Sequence, residues 1–219
     1  MDLLNTWFSY LQDGIASGLL VTLETMVVAC LVTVVWGLLV NLLRISPIKP
    51  LRFIAIAYIE LFRGTPLLVQ MLIIYATLPI ATGIMLPAFQ TAILTIMLNQ
   101  GTYMAECYRS GFESVPVGQR EAAAALGMSP IVEFWRIQLP LAIRVILPAI
   151  GNRALAMLLT TPFVFMVGVV EMMAQANKIL GETGDFSVFV LITIIYVLVG
   201  MTLNIANSRF ERALRTERL

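Results

Sequence analysis

Glu171 closes the apolar run FVFMVGVV at residues 163–170, and Arg153 lies inside another apolar stretch. An ionisable group at membrane depth is expensive, and it faces either a partner or a wet cavity. A carboxylate at Glu171 suits attraction of an ammonium group; the alternative is an interfacial glutamate in contact with water. Thr161, Asn99 and Gln100 are candidates to line the same path, although an amide between helices serves equally well as an interhelical hydrogen-bonding group. Arg153 reads as pairing with a neighbouring acid or reaching the interface by snorkelling. In RGTP, Arg63, Gly64, Thr65 and Pro66, the glycine and proline read as a helix break, a structural task in its own right. Catalytic alternatives are poorly served. The chain has no histidine, the commonest general base and metal ligand, and no metal site is expected. Asp2, Asp13 and Asp185 fall outside the apolar stretches, which removes an aspartyl dyad within the membrane. Cys30 and Cys107 read as small buried hydrophobes, and the twelve methionines as packing material. No GxxxxGK loop is present, so ATP chemistry would have to come from another chain.

The elements that must position these groups follow from composition. Of 219 residues, 59% are hydrophobic and 12% charged, with a mean hydropathy of +0.91, which suits a chain solvated by lipid. The formal net charge of +1 offers no attraction for nucleic acid. Stretches of roughly 20 apolar residues span a bilayer as helix. Five qualify, near 17–43, 57–81, 87–108, 138–170 and 187–207, so the expected fold is an all-α integral membrane protein of about five transmembrane helices. The fourth stretch is overlong and holds Pro140, Pro148 and Pro162, which predicts a bend or a start only near Leu147. Residues 3–12, with Leu3, Leu4, Trp7, Phe8 and Leu11, suit a short interfacial helix. The N-terminus lacks the basic region and cleavage site of a signal peptide, so the first span is expected to be retained. Twelve of the fourteen basic residues cluster after span one, between spans three and four, and in the tail with Arg209, Arg212, Arg215 and Arg218. The positive-inside rule then puts the N-terminus outside and the tail in the cytoplasm.

One cytoplasmic stretch is unlike its surroundings. REAAAALGMSPIVEFW, residues 120–135, sets Arg120, Glu121 and Glu133 around four alanines and is interrupted by Gly127 and Pro130. Pro116 can open a helix over GQREAAAAL, and Gly127 stands where a left-handed residue would close it. Ser129 and Pro130 resemble an N-cap and first-turn proline for a second short helix through about Arg136. Helix, glycine and helix make a compact corner that protrudes into water. Its alanines would let another protein's groove approach the backbone closely.

EAAAALG at Glu121–Gly127 and IQLP at Ile137–Pro140, nine residues on, resemble the EAA loop of ABC-importer permease subunits. ELFRGTPLLVQ at 60–70, YMAECYRSGFESVPVGQREAA at 103–123 and LPLAIRVILPAIGN at 139–152 are similar to the subfamily that imports polar amino acids and opines. The similarity runs over most of residues 16–208, flanked by an interfacial segment at 1–15 and a basic tail at 209–219. It implies a type I importer permease domain whose coupling loop, about 116–137, inserts into a separate ATPase. Glu121, Ala122, Ala123, Gly127, Ile137 and Pro140 would carry that contact. The implied partners are a second permease chain, identical or paralogous, two ATPase subunits that bind ATP and Mg, and an extracytoplasmic solute-binding protein. The implied solute is a polar amino acid, with an opine or another amino-acid-like solute as the alternative. Many relatives carry a Lys-Asp-Thr-Ser kind of run before the glutamate, where this chain has Leu159, Thr160, Thr161 and Pro162. A substrate therefore does not transfer directly from close relatives. An intramembrane hydrolase lacks its base here, and a self-contained secondary transporter lacks the expected internal repeats.

Overall fold

A computed structural model describes residues 3–216, with side chains described through Leu214. Asp2, Arg218 and the side chain of Arg215 therefore lie outside the described part. Those residues are helical almost throughout. α1 (Leu3–Tyr10) passes through a π turn (Leu11–Ile15) into α2 (Ala16–Arg44). α3 (Lys49–Arg63), α4 (Leu67–Thr82) and α5 (Ala88–Glu113) follow. Next come α6 (Val117–Ala125) and α7 (Pro130–Glu133), the latter running through a second π turn (Phe134–Gln138) into α8 (Leu139–Leu158). A 3-10 helix (Thr161–Val167), α9 (Met172–Thr183) and α10 (Ser187–Thr216) complete the order.

Five of the ten prolines stand at the starts of α3 to α7, where a missing N–H costs nothing, whereas Pro79 and Pro148 lie inside α4 and α8. Pro66, Pro87 and Pro116 stand immediately before α4, α5 and α6, and Pro50 and Pro130 occupy the first turns of α3 and α7. Pro140 comes early in α8 and explains the turn before it. A proline ring there clashes with the carbonyl four residues back. The helix widens instead, and the Leu139 N–H bonds to the Phe134 carbonyl, five residues back.

Among the described residues, three continuous helices are long and apolar enough to cross a membrane: Leu3–Arg44, Pro130–Leu158 and Ser187–Leu214. Two bent pairs, α3 with α4 at 108° and the 3-10 helix with α9 at 64°, raise the number to five. The spans differ from the sequence reading in three ways. The second expected span is two helices rather than one. The fourth starts well before Leu147 and stops at Leu158, because Pro162 cannot continue it; the residues up to 170 belong to the 3-10 helix instead. The third, α5, is long enough but too polar for a lipid-facing helix. Its Thr91, Thr95, Asn99, Gln100 and Thr102 are buried against protein. α5 is thus the inner helix that the others enclose.

α2 packs on α5 at close range. A Cβ on Gly37 would lie 2.5 Å from the Met104 Cβ, and one on Gly101 would lie 2.4 Å from the Trp36 ring. Small residues permit this approach where lipid offers no hydrophobic driving force between helices. Trp36 Nε1 donates to the Tyr58 hydroxyl at 2.8 Å, and Tyr58 donates to the Leu98 carbonyl, which ties α3 to the α2–α5 pair. Met26, Met71, Ile96, Met104 and Met157 fill the core between α2, α4, α5 and α8. A second core joins α1, α9 and the start of α10 through Tyr10, Met172, Ile179 and Val188.

Candidate coupling corner and translocation path

α6 ends on Gly127 at φ 73°, a left-handed backbone that favours glycine. The Met128 N–H bonds to the Ala123 carbonyl at 3.1 Å, and the Gly127 N–H to the Ala124 carbonyl at 3.0 Å, so the last carbonyls of α6 are satisfied at the turn. Arg120 Nε lies 3.3 Å from Glu133 Oε1, and Gln138 Nε2 donates to the same oxygen at 2.7 Å. Glu133 therefore staples α6 to the root of α8. Phe112 of α5 stacks on Phe134 at 5.9 Å between ring centroids, fixing that root to the bundle.

Three expectations for the corner need correction. Ala123 is buried at 1% exposure and faces its own chain, so it is not available to a partner. Ser129 occupies the N-cap position, but its side chain makes no capping bond; only its carbonyl receives the Glu133 N–H, at 2.9 Å. The second helix does not stop near Arg136 and instead continues through the π turn into α8. Ile137 and Pro140 lie on that continuation, Ile137 half-buried and Pro140 exposed, rather than on the tip with Glu121 and Gly127. Glu121, Ala122 and Gly127 are exposed. The sequence reading missed the apolar surface beside them: Leu126 is 82% exposed, and Ile131 and Trp135 are also open to solvent. Three large apolar side chains on a charged protrusion were the available signal.

The break at Gly64–Pro66 is a built site. The Phe62 carbonyl, freed where α3 ends, accepts from Gln70 Nε2 at 2.9 Å and from Asn99 Nδ2 at 3.0 Å. The same Gln70 nitrogen reaches the Thr65 carbonyl at 3.1 Å and the Thr65 hydroxyl at 2.5 Å, while Thr65 Oγ1 donates to the Leu61 carbonyl. Asn99 Nδ2 also meets Gln70 Oε1 at 3.0 Å, and Gln100 Nε2 donates to Asn99 Oδ1 at 3.1 Å. Irregular backbone at membrane depth survives only when its polar groups are satisfied within the protein. Asn99 therefore does the interhelical work, and Gln70, a lone amide in an apolar helix, was missed.

Arg63 reaches Glu106, which also holds Arg44 at 2.8 Å and Arg109 at 2.6 Å. One carboxylate thus gathers guanidinium groups from α2, α3 and α5. Arg153 does not pair with an acid among the described residues: its guanidinium lies over the Tyr103 ring, 5.5 Å from the centroid, in an open cavity beside Arg63.

Glu171 is neither a solvated interfacial carboxylate nor a group open to a path. It is fully buried and caps α9, accepting the Ala174 N–H at 3.0 Å. Its other oxygen lies 3.2 Å from the hydroxyls of Thr22 on α2 and Tyr196 on α10. Thr161 is buried as well, donating to the Leu158 carbonyl at 2.8 Å, with Tyr196 Oη 3.4 Å away. These two residues hold α2, α8, α9 and α10 together.

Taken together, enclosed polar groups, broken helices and a protruding corner rooted in a membrane helix define a transport component of a membrane. The comparisons agree. Residues 33–216 match the family described as binding-protein-dependent transport system inner membrane component, and the chain belongs to that family. It is similar to the arginine transport system permease protein ArtQ of Bacillus subtilis (strain 168), at 30% identity over 203 residues, covering 92% of this chain and 93% of that protein. It is 34% identical over 164 residues to the glutamine transport system permease protein GlnP of Escherichia coli (strain K12), covering 74% and 75% of the two chains. Among solved structures, the crystal structure of an amino acid ABC transporter with histidines superposes with a TM-score of 0.91 at 36% identity, covering 97% of this chain and 99% of that one. The inward-facing MetNI methionine ABC transporter shares the fold, with a TM-score of 0.69 at 18% identity over 98% and 99% of the chains.

Proposed function

We propose that this chain is the permease subunit of an ATP-driven importer of polar amino acids and that it carries no ATPase site of its own. It would pair with a second permease chain and receive solute from an extracytoplasmic binding protein. Two ATPase subunits, binding ATP and Mg, would engage the corner from the cytoplasm. The observation that carries this reading is mechanical. Glu133 staples α6 to α7, and α7 runs without interruption into α8, so a displacement at Leu126 is passed to a membrane helix that packs on α5. The amino acid assignment is supported by the similarity to ArtQ and GlnP.

In this reading α2 runs inward from an outer N-terminus, and the corner and C-terminus are cytoplasmic. The 3-10 helix and α9 then return to the outer end, where Trp7 bonds to Ser187 and Tyr10 to Asp185. Gly118→Cys should react with an impermeant thiol reagent only from inside and Gly184→Cys only from outside; reaction from one common side contradicts this topology. The function itself is tested on the complex purified with its ATPase and binding protein. Solute-loaded binding protein should raise ATP hydrolysis, and indifference to it would contradict the importer reading.

A further inference from the structure

Between α5, α8 and the end of α3 lies an open cavity of about 480 Å³, lined by Arg63, Tyr103, Glu106, Arg109, Asn152 and Arg153. Arg63 and Arg153 approach the same Tyr103 ring, at 5.3 and 5.5 Å from its centroid. Two guanidinium groups held on one ring repel each other unless anions compensate them, and of the two only Arg63 reaches a carboxylate, that of Glu106. Glu106 is the one carboxylate lining the cavity among the described residues, and Arg44, Arg63 and Arg109 already share it. Arg153 has no acidic partner among the described residues, although it sits fourteen residues into α8, about 20 Å along the helix from its start. An arginine without an acidic partner, in an open cavity that already gathers Arg63 and Arg109, marks a place where an anion can enter.

We propose that this cavity binds a carboxylate of the transported solute, with Arg153 as its anchor, and that the solute is acidic or dicarboxylic rather than basic. The inference rests on the permease reading and narrows its substrate class. A guanidinium presents parallel donors that match a carboxylate in two bonds. Tyr103 holds the Arg153 group in place by its ring face, and Asn152 lines the same cavity as a further polar contact. A basic amino acid would bring a second cation among Arg63, Arg109 and Arg153, which disfavours it. A lipid phosphate has the same chemistry as the carboxylate, but the lining offers no long apolar side chain along which an acyl chain could lie. The uncharged Leu159–Pro162 stretch is consistent with this placement, since it offers no charged group to hold a solute.

The test uses the complex of permease and ATPase in detergent without binding protein, followed by its melting temperature against L-glutamate, L-glutamine, L-arginine and phosphatidylglycerol. L-Glutamate should stabilise the complex in a saturable manner, and L-arginine should not. Arg153→Gln should weaken the half-saturating L-glutamate concentration at least tenfold. Arg153→Lys, which keeps the charge but loses the paired donors, should weaken it to an intermediate degree and serves if the glutamine variant does not assemble. Lys178→Gln, on α9 and away from the cavity, should leave it unchanged. Equal stabilisation by L-arginine, an unaltered response in both Arg153 variants, or an Arg153-dependent response to phosphatidylglycerol alone would each overturn the proposal. A complex that assembles and hydrolyses ATP but ignores L-glutamate contradicts only this site, whereas failure of the wild-type chain to assemble with the ATPase contradicts the permease reading itself.

Discussion

Replacing Asn99 by leucine removes the group that joins α5 to the broken helix. The Phe62 carbonyl keeps its bond from Gln70, so the break itself is not left bare. Two buried groups lose their partner instead: Gln70 Oε1, which accepted from Asn99, and Gln100 Nε2, which donated to it. An orphaned buried polar group costs about 1–3 kcal/mol. Interhelical bonds in membranes average only about 0.6 kcal/mol, because the unfolded chain finds other partners. Between these limits, Asn99→Leu should cost about 2–4 kcal/mol, and Gln70→Leu less, about 1–2 kcal/mol, since the Thr65 groups it frees are exposed and Phe62 keeps its bond from Asn99. The double variant removes both ends of the shared bond but leaves the Phe62 carbonyl with neither donor, so the two effects offset and its cost should be about the sum of the two singles. Denaturation of the purified chain by titration with sodium dodecyl sulfate, followed by tryptophan fluorescence, reads all three. A cost below about 0.5 kcal/mol for Asn99→Leu, or a double variant no more costly than Asn99→Leu alone, would refute the view that these amides satisfy the break.

Three further perturbations follow from the same geometry. Glu171→Gln keeps an acceptor for the Ala174 N–H and should cost about 1 kcal/mol in the same titration, while Glu171→Ala strands that N–H and should cost about 1–3 kcal/mol; a larger effect of the glutamine variant on transport than on stability would return Glu171 to the solute path. Gly37→Ala forces a Cβ against Met104 and should destabilise by about 1–3 kcal/mol, and an unchanged midpoint would remove the close α2–α5 contact from the account. The Asp185 carboxyl is held below its ordinary range first by the Ser187 N–H, then by the Ser187 and Tyr10 hydroxyls. Because the folded value is depressed, its stabilisation is present above the usual aspartate range and lost as pH falls through the folded value; Asp185→Asn should flatten that acid limb in a pH series of unfolding midpoints.

What sequence reasoning could see was what local chemistry decides. Gly127 was legible as a left-handed stop because alanines before it and a proline after it bound the turn from both sides. The break at Gly64–Pro66 was legible for the same reason, and the apolar stretches of α2 and α10 announced themselves. The partners of these features were not legible. Glu171 meets Thr22 across 149 positions of chain and Tyr196 across 25, so its burial depends on packing that no local pattern records. Gln70 looked like one polar residue in an apolar helix until α5 was placed beside it. The four alanines are equivalent by composition, and only the turn of α6 decides that Ala123 faces inward while Ala122 faces out. The polar face of α5 was readable, but its cause was not: the helix is enclosed by protein instead of lipid.

The central claim is that the corner grips an ATPase, and Leu126 tests it most directly. Its side chain is 82% exposed and makes no contact that folding requires, whereas Ala123 beneath it is buried. Leu126→Asp should therefore leave insertion and thermal stability within about 0.5 kcal/mol of the wild type. Burying its unpaired carboxylate in a partner's groove should cost about 3 kcal/mol or more, at least a hundredfold in affinity. Titrating the purified permease with its ATPase, for wild type and Leu126→Asp in parallel, measures that difference. The account predicts a Kd raised by at least two orders of magnitude together with loss of binding-protein-stimulated hydrolysis. An unaltered Kd and an unaltered response would contradict it and leave residues 116–137 as an ordinary loop.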